Sequence, residues 1–297
     1  MIEVIFLGTS SMVPTKERNQ SGVLINYGTQ GILVDCGEGI QRQLKMANVP
    51  ITKITKVLIT HWHGDHTLGL PGLIQSLGAS EYNKKLEIYG PKGTKGYMDY
   101  MFKAFVMDRR IEMEVYEIAE GRFFENSEFI LEAYALEHGI ETLGYNFVEQ
   151  DKRRMIMTKI KKLGLLEGPL LGKLQDGKDI VYKNNKIKSE EVTKLIKGKK
   201  ISVVADTSLC DNCYNLSQDA DLLICESTYS SNLEQKGEDY KHLTSKQAAL
   251  IASKSNVKKL VLTHFSARYK STLELNDDAR NYFDNTVCAY DLMKISL

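Results

Sequence analysis

Lys56-Val-Leu-Ile-Thr60, continuing into His61-Trp62-His63-Gly64-Asp65-His66, places three of the chain's six histidines within six positions. Apart from Lys56, the five residues before the histidines are each apolar or β-branched, so they read as a buried strand. The pattern from Leu68 to Leu77 is helical. The histidines therefore sit on a loop between a strand end and a helix start. Three imidazoles and a carboxylate gathered there are costly for folding alone and suit divalent metal ions. His61 and His63 can serve one ion, and Asp65 and His66 another.

Two ions need further ligands, and the rest of the chain offers them after strand-like runs. Glu128–Leu136 leads to Glu137-His138. Ile201-Ser-Val-Val-Ala205 ends at Asp206. Val257-Lys-Lys-Leu-Val-Leu-Thr263-His264 repeats the pattern of Ile54-Thr-Lys-Val-Leu-Ile-Thr60-His61. Ala220-Asp-Leu-Leu-Ile-Cys225 ends in Glu226. In layered α/β folds the chemistry gathers at strand ends, where loops are free to carry polar groups. The carboxylate of Asp206 can bridge two cations, which an imidazole cannot. Two metals about 3.5–4 Å apart lower the pKa of a bound water and steady attacking and leaving oxygens. Such a site implies a hydrolase and does not choose among phosphoester, amide and thioester. Strands alternate with helices in both halves, which predicts an α/β sandwich with helices outside two sheets.

The chain has 297 residues, 42% apolar and 26% charged, enough for one large domain or two small ones with a sizeable core. No apolar run approaches the roughly 18 residues of a membrane span. The N-terminus, Met1-Ile-Glu-Val-Ile-Phe-Leu7, alternates like a strand and lacks a signal peptide's basic start. A cytoplasmic protein without membrane contact is the expectation. The five cysteines, Cys36, Cys210, Cys213, Cys225 and Cys288, are odd in number and scattered, against a disulfide framework. Cys210 and Cys213 form a single C-x-x-C, read most simply as reduced thiols at a loop and helix start.

Charge is distributed unevenly. The net charge is +1, but residues 152–200 hold 15 Lys or Arg against 5 Asp or Glu. A basic segment on an acidic body suggests a contact for a polyanion; the plainer reading is a solvated, lysine-rich insertion. Within it, 149–184 carries Gly164, Gly168, Pro169, Gly172 and Gly177, which disfavours long regular elements. An inserted, flexible arm is expected there, within one domain spanning 1–297.

His-x-His-x-Asp-His after a strand, with later His, Asp and His, resembles the metallo-β-lactamase superfamily. Further stretches resemble its ribonuclease Z family of tRNA 3′-processing endonucleases. These are Phe6-Leu-Gly-Thr-Ser-Ser11, Pro14-Thr-Lys-Glu-Arg-Asn19, Val34-Asp-Cys-Gly-Glu38, Gly69-Leu-Pro-Gly-Leu73, Gly168-Pro169, His242-Leu-Thr244 and Leu262-Thr-His-Phe-Ser-Ala-Arg-Tyr269. They occur in order along nearly the whole chain.

The resemblance implies a four-layer αββα sandwich of the metallo-β-lactamase type with a protruding basic arm. It implies two zinc ions per subunit, manganese or another divalent metal being the alternative. His61, His63 and His138 would hold one ion, Asp65, His66 and His264 the other, and Asp206 would bridge. Asp65 would also orient the attacking water as general base. His242 would give a proton to the leaving 3′ oxygen, with Glu226 orienting its ring. The plainer reading of His242 is a loop residue ahead of a helix, whose start Thr244-Ser-Lys-Gln247 reads as a capping box. The arm, with Gly168, Pro169 and Lys173, would clamp precursor tRNA through its phosphates. Lys16, Arg18 and Asn19 would help place the acceptor end, unless they form an ordinary polar turn. A homodimer is implied, each arm serving the partner's active site.

Two other classes stay open at this level. One is a superfamily hydrolase of small molecules, a phosphodiesterase or glyoxalase-type thioesterase, which needs no insertion of net charge +10. The other is a non-catalytic RNA-binding relative, which would be expected to lose ligands.

Overall fold

A computed structural model describes residues 1–104, 106, 110–166 and 168–297. They form two compact units: 1–124 with 131–147 and 200–297, and 125–130 with 148–199.

Two seven-stranded sheets organise the chain. The first holds β1 (Ile2–Gly8), β2 (Gly22–Tyr27), β3 (Gln30–Val34), β4 (Ile54–Leu58), β5 (Leu86–Gly90) and β6 (Met113–Glu117) in sequence order. The last strand of the chain, β18 (Lys294–Ser296), closes its β1 edge. The second sheet holds β7 (Gly121–Glu125), β8 (Phe129–Glu137), β9 (Glu141–Glu149), β14 (Lys200–Val204), β15 (Leu222–Glu226), β16 (Leu260–Thr263) and β17 (Thr286–Cys288). Both sheets are mixed. β3 to β6 pair in parallel, as do β14 to β17.

Parallel strands must be buried on both faces. Leu33, Val57 and Ile88 turn outward onto helices Ile40–Met46, Leu70–Ala79 and Thr94–Ala104. Val204, Leu223, Cys225 and Leu262 meet helices Asp211–Ser217, Ser245–Lys254 and Leu273–Arg280. Between the sheets, Val23 and Val34 face Val203 and Ile224. The Tyr145 hydroxyl crosses from the second sheet to donate to the Ile59 carbonyl at 2.6 Å. The result is the expected α/β architecture, a four-layer αββα sandwich.

Parallel pairing also sends chain ends one way. β3 leads into Asp35, β4 into Thr60 and His61, β14 into Asp206 and β16 into His264, while β15 ends in Glu226. β4 stops at Leu58, so Thr60, expected in the strand, already belongs to the site loop. The helical pattern expected from Leu68 begins earlier: a single turn, Gly64–Thr67, carries Asp65 and His66, and Leu70–Ala79 follows.

The second unit takes in the segment 149–184, where long regular elements were not expected. It carries short regular elements and runs on to Lys199. β10 (Lys152–Met155) pairs with β13 (Thr193–Ile196). β11 (Ile180–Tyr182) pairs with β12 (Asn185–Ile187) across a two-residue turn, with Lys183 and Asn184 at φ 48° and 63°. That is a type I′ hairpin made without glycine, which composition does not signal. Glycine and proline shorten the elements here without abolishing them. Ile160, Leu165, Leu174, Ile180, Ile187 and Val192 form a core local to this unit. Pro169 takes the first helical position of Pro169–Gln175, where its missing N–H costs nothing, after Gly168 at φ 154°.

Candidate metal centre

The histidine loop is held against the turn after β3. A Cβ at Gly37 would lie 2.4 Å from the Asp65 carbonyl oxygen, and one at Gly69 2.0 Å from the Gly37 carbonyl oxygen. Only glycine permits that approach. Trp62 anchors the other side, donating to Thr94 Oγ1 at 2.9 Å and stacking on Tyr97.

All seven candidate ligands converge. Each of four groups has its ligand atoms within 4.8 Å of one another: His61, His63 and His138; Asp65, His66 and His264; His61, His66 and Asp206; and Asp206, Glu226, His242 and His264. Asp206 lies at the centre. Its Oδ2 is 3.7 Å from His61 Nε2 and 3.5 Å from His66 Nε2, and its Oδ1 is 3.3 Å from His264 Nε2. Asp65 Oδ2 lies 3.4 Å from His66 Nε2 and 3.5 Å from His264 Nε2.

What surrounds the cluster decides which ring nitrogens face inward. His66 Nδ1 donates to Asp35 Oδ2 at 2.7 Å. The same carboxylate accepts the Thr60 hydroxyl and amide, both at 2.8 Å, and Thr60 Oγ1 receives His61 Nδ1 at 3.0 Å. Thr228 Oγ1 donates to Glu226 Oε2 at 2.7 Å, which leaves it to accept His264 Nδ1 at 3.0 Å. His138 Nδ1 donates to the Lys241 carbonyl at 2.9 Å. In four imidazoles the proton is thus fixed on Nδ1, leaving the Nε2 lone pair for the interior. His63 points Nδ1 at His61 Nε2 instead, 3.0 Å away.

The buried atoms His66 Nε2 and Asp206 Oδ1 have no hydrogen-bond partner. Orphaned polar atoms at such depth are expensive. A cation would satisfy both, so the residues fit the group that the donor set implies. The electrostatics agree. Burial, then the neighbouring His66, holds His61 well below the ordinary histidine range, so the ring is neutral, as a ligand must be. Burial also lowers His63, with His138 adding to it. Burial would raise Asp65 and Asp206. The neighbouring His264 and His66 imidazoles override this at Asp65, and the charges of His264, His66 and His242 do so at Asp206, so both carboxylates stay ionised. Burial would lower His66, but Asp206 and Asp35 lift it well above its usual range. A cation would displace that proton. Imidazole and carboxylate together suit borderline divalent metals.

A cleft of about 350 Å³ opens onto the cluster. His63, His138 and His242 line it, half-buried, with Met12, Val13 and Tyr240 exposed at its rim. His242 Nδ1 lies 3.1 and 3.2 Å from the Glu226 oxygens. Glu226, 1% exposed, is itself held by the Thr207 amide at 2.8 Å. Thr244 caps the next helix in a complete capping box, as its spacing predicts. A larger hollow, about 670 Å³ beside Gln41, Lys45 and Ser76, contains none of the clustered ligands.

The loop residues expected to meet substrate divide. Lys16 is exposed. Arg18 is buried, and its guanidinium donates to the Tyr269 and Ser266 carbonyls at 2.6 and 3.5 Å. Asn19 donates its amide group to the Glu38 carbonyl at 2.7 Å and its backbone N–H to Asp291 at the same distance. Both are engaged in fastening the loop, a role their polarity alone does not distinguish from a grip on substrate. Lys173 is exposed on the second unit, in the helix that Pro169 opens.

Sequence reasoning missed Asp35, Thr60, Thr207 and Thr228. Asp35 follows an apolar strand run just as Asp206 does, so the same signal could have found it. Asp35→Asn isolates its charge, because asparagine tolerates the left-handed backbone at φ 60°. Metal affinity, measured by competition with a chromophoric chelator, is expected to fall about 10- to 100-fold. Unchanged affinity would make Asp35 a purely structural turn residue.

The fold and the cluster together define a metallo-β-lactamase-fold protein built to hold divalent metal. A metallo-β-lactamase-fold protein from Bacillus subtilis superposes with a TM-score of 0.71 at 19% identity, covering 99% of this chain and 98% of that one. Human tRNase Z, short form, superposes at 0.73 with 28% identity over 99% and 98%. The ribonuclease Z of Bacillus cereus (strain B4264) is 40% identical over 300 residues, 98% of each chain. The chain belongs to the ribonuclease Z family. Residues 2–164 also match the family model described as Anti-Pycsar protein Apyc1, a span that ends before Asp206, His242 and His264.

Proposed function

We propose that this chain is an endoribonuclease that removes the 3′ trailer from precursor tRNA, working with two zinc ions. Manganese is the alternative occupant. The observation that carries the reading is the convergence of inward-facing imidazoles with Asp65 and Asp206, beside a histidine held by its own carboxylate. We assign His61, His63 and His138 to one ion, Asp65, His66 and His264 to the other, and Asp206 to both. When bound, the ions supply Lewis acidity at the phosphodiester.

The chain's residues do the rest. Asp65, ionised and facing the cleft, orients the attacking water. His242 has Nδ1 held by Glu226, so Nε2 is available to the cleft. Burial would lower this histidine, but Glu226 and Asp206 raise it to about 9, so it carries a proton at neutral pH. It donates that proton to the departing 3′ oxygen of the tRNA, leaving a 3′ hydroxyl after the discriminator nucleotide and a 5′ phosphate on the trailer. Lys16 meets the acceptor end, with Arg18 and Asn19 keeping its loop in place. The basic unit grips phosphates without reading sequence. A homodimer, each basic unit serving its partner's site, completes the reading.

Metal-loaded protein and a trailer-bearing precursor tRNA test this. Cleavage should map to the discriminator and stop when a chelator removes the metal. Hydrolysis of a small phosphodiester without any cut in precursor tRNA would overturn the substrate and leave only a hydrolase. Replacing Lys161, Lys162 and Lys173 by alanine removes up to three cations that can neutralise phosphates. The slope of log affinity against log salt should become shallower by about 0.7–0.9 for each phosphate left without its lysine. Small-diester hydrolysis should be unchanged.

A further inference from the structure

Cys210 and Cys213 take no part in the chemistry above. They lie on the segment leaving β14 after Asp206, with Cys210 the residue before helix Asp211–Ser217. Their sulfurs are 3.6 Å apart. The Cys213 amide donates to the Cys210 carbonyl at 3.1 Å. A one-turn bond of this kind keeps the two Cα atoms within about 7 Å. A disulfide spans Cα separations of roughly 4.4–6.8 Å, so this turn already brings the two backbones close to the range a disulfide needs.

The two thiols are not equivalent. Cys210 is half-buried and within reach of solvent, whereas Cys213 is fully buried behind it. The arrangement is that of an attacking thiol and a resolving thiol. We propose that Cys210 and Cys213 form a redox-active dithiol that exchanges with a low-molecular-weight disulfide and closes to an internal disulfide. The Cys210 thiolate attacks one sulfur of the small disulfide, whose bond breaks, and the leaving thiolate takes up a proton. Cys213 then loses its proton and attacks Cys210 Sγ, expelling the second small thiol. Two protein thiols are oxidised, and one small disulfide is reduced to two thiols.

Acidity supports the order. The hydrogen bond from Cys213 draws the Cys210 thiol down to about 6, and the same bond pushes Cys213 up. Burial raises Cys36, Cys225 and Cys288, the last to about 12. Closure also moves a sulfur that lies 4.0 Å from Thr207 Oγ1, and the Thr207 amide holds Glu226. The redox state of the pair is therefore set beside the loop that carries Asp206.

The test exposes the reduced, folded chain to oxidised glutathione, quenches with acid, alkylates and maps peptides by mass spectrometry. The peptide bearing both cysteines should lose two hydrogens and resist alkylation until a reductant restores it. Cys213→Ser should stop at a glutathione adduct on Cys210, and Cys210→Ser should give no adduct on Cys213. Cys210 should react at least about tenfold faster than Cys288, as a thiolate-rich site does. The inference is overturned if both thiols remain alkylatable under conditions that oxidise a reference dithiol. It is equally overturned if Cys213→Ser yields no adduct, or if Cys288 reacts as fast as Cys210.

Discussion

Asp206→Ala is expected to lower hydrolysis of precursor tRNA by at least about 10⁴-fold, the scale reached when one member of a cooperating catalytic set is removed. Asp206 faces three imidazoles at once, His61, His66 and His264, at 3.3–3.7 Å. No other carboxylate among the described residues appears in two of the ligand groups. Its loss takes a negative charge from the middle of both proposed ion sites. Elemental analysis after dialysis should show fewer than the wild-type number of ions per chain. The small phosphodiester should lose rate as steeply as tRNA, because the defect lies in the chemistry and not in the grip. Precursor affinity without turnover should stay near wild type. Retention of both metals and of rate in Asp206→Ala would refute the convergence on which the mechanism rests. The buried geometry also predicts non-additivity: Asp206→Ala combined with His264→Ala should cost little more than Asp206→Ala alone.

The reason these ligands were legible in the sequence is physical. A polar, titratable residue directly after an apolar strand run has few structural explanations, and His61, Asp206 and His264 all meet that description. Parallel pairing then carries those strand ends to one edge of each sheet. The residues that support them were less legible. Thr60, Thr207 and Thr228 are ordinary β-branched residues by composition, and only their hydrogen bonds show that Thr60 and Thr228 set ring tautomers while Thr207 holds Glu226. The left-handed backbone at Asp35 and His264, φ 60° in each, leaves no local sequence mark, since both residue types tolerate it. Arg18 was expected to help place the acceptor end on the strength of the family resemblance, and arginines usually stay wet. Its burial depends on carbonyls at Ser266 and Tyr269, about 250 positions away, which local patterning does not reveal. The short elements of the basic unit were hard to read for a different reason. Its glycines set element ends, and six spaced apolar side chains still close a small core between them.

His242→Ala is expected to lower the rate on precursor tRNA by about 10²- to 10⁴-fold, the usual contribution of one positioned proton donor. Unlike Asp206→Ala, it should leave the metal content intact. The leaving group separates this role from a structural one. A ribose 3′ oxygen departs poorly without a proton, whereas a nitrophenolate departs unaided. The deficit of His242→Ala should therefore shrink on a nitrophenyl phosphodiester, and an equal deficit on both substrates would count against proton donation. The pH profile gives an independent reading. A donor works only while protonated, so wild-type activity should fall as pH rises through the His242 pKa. Glu226 and Asp206 lift that value from 6.5 towards about 9 against the effect of burial. Cations sharing the charge of Asp206 weaken its part of the pull, so the alkaline limb should lie between those two values. Glu226→Gln keeps an acceptor beside Nδ1 and removes the charge. Its limb should move to lower pH, towards the ordinary histidine value, while His242→Ala should have no such limb at all. If the limb stayed in place in both variants, the titrating group would be something other than His242, and Glu226 would be reduced to holding Thr207 and Thr228 in position.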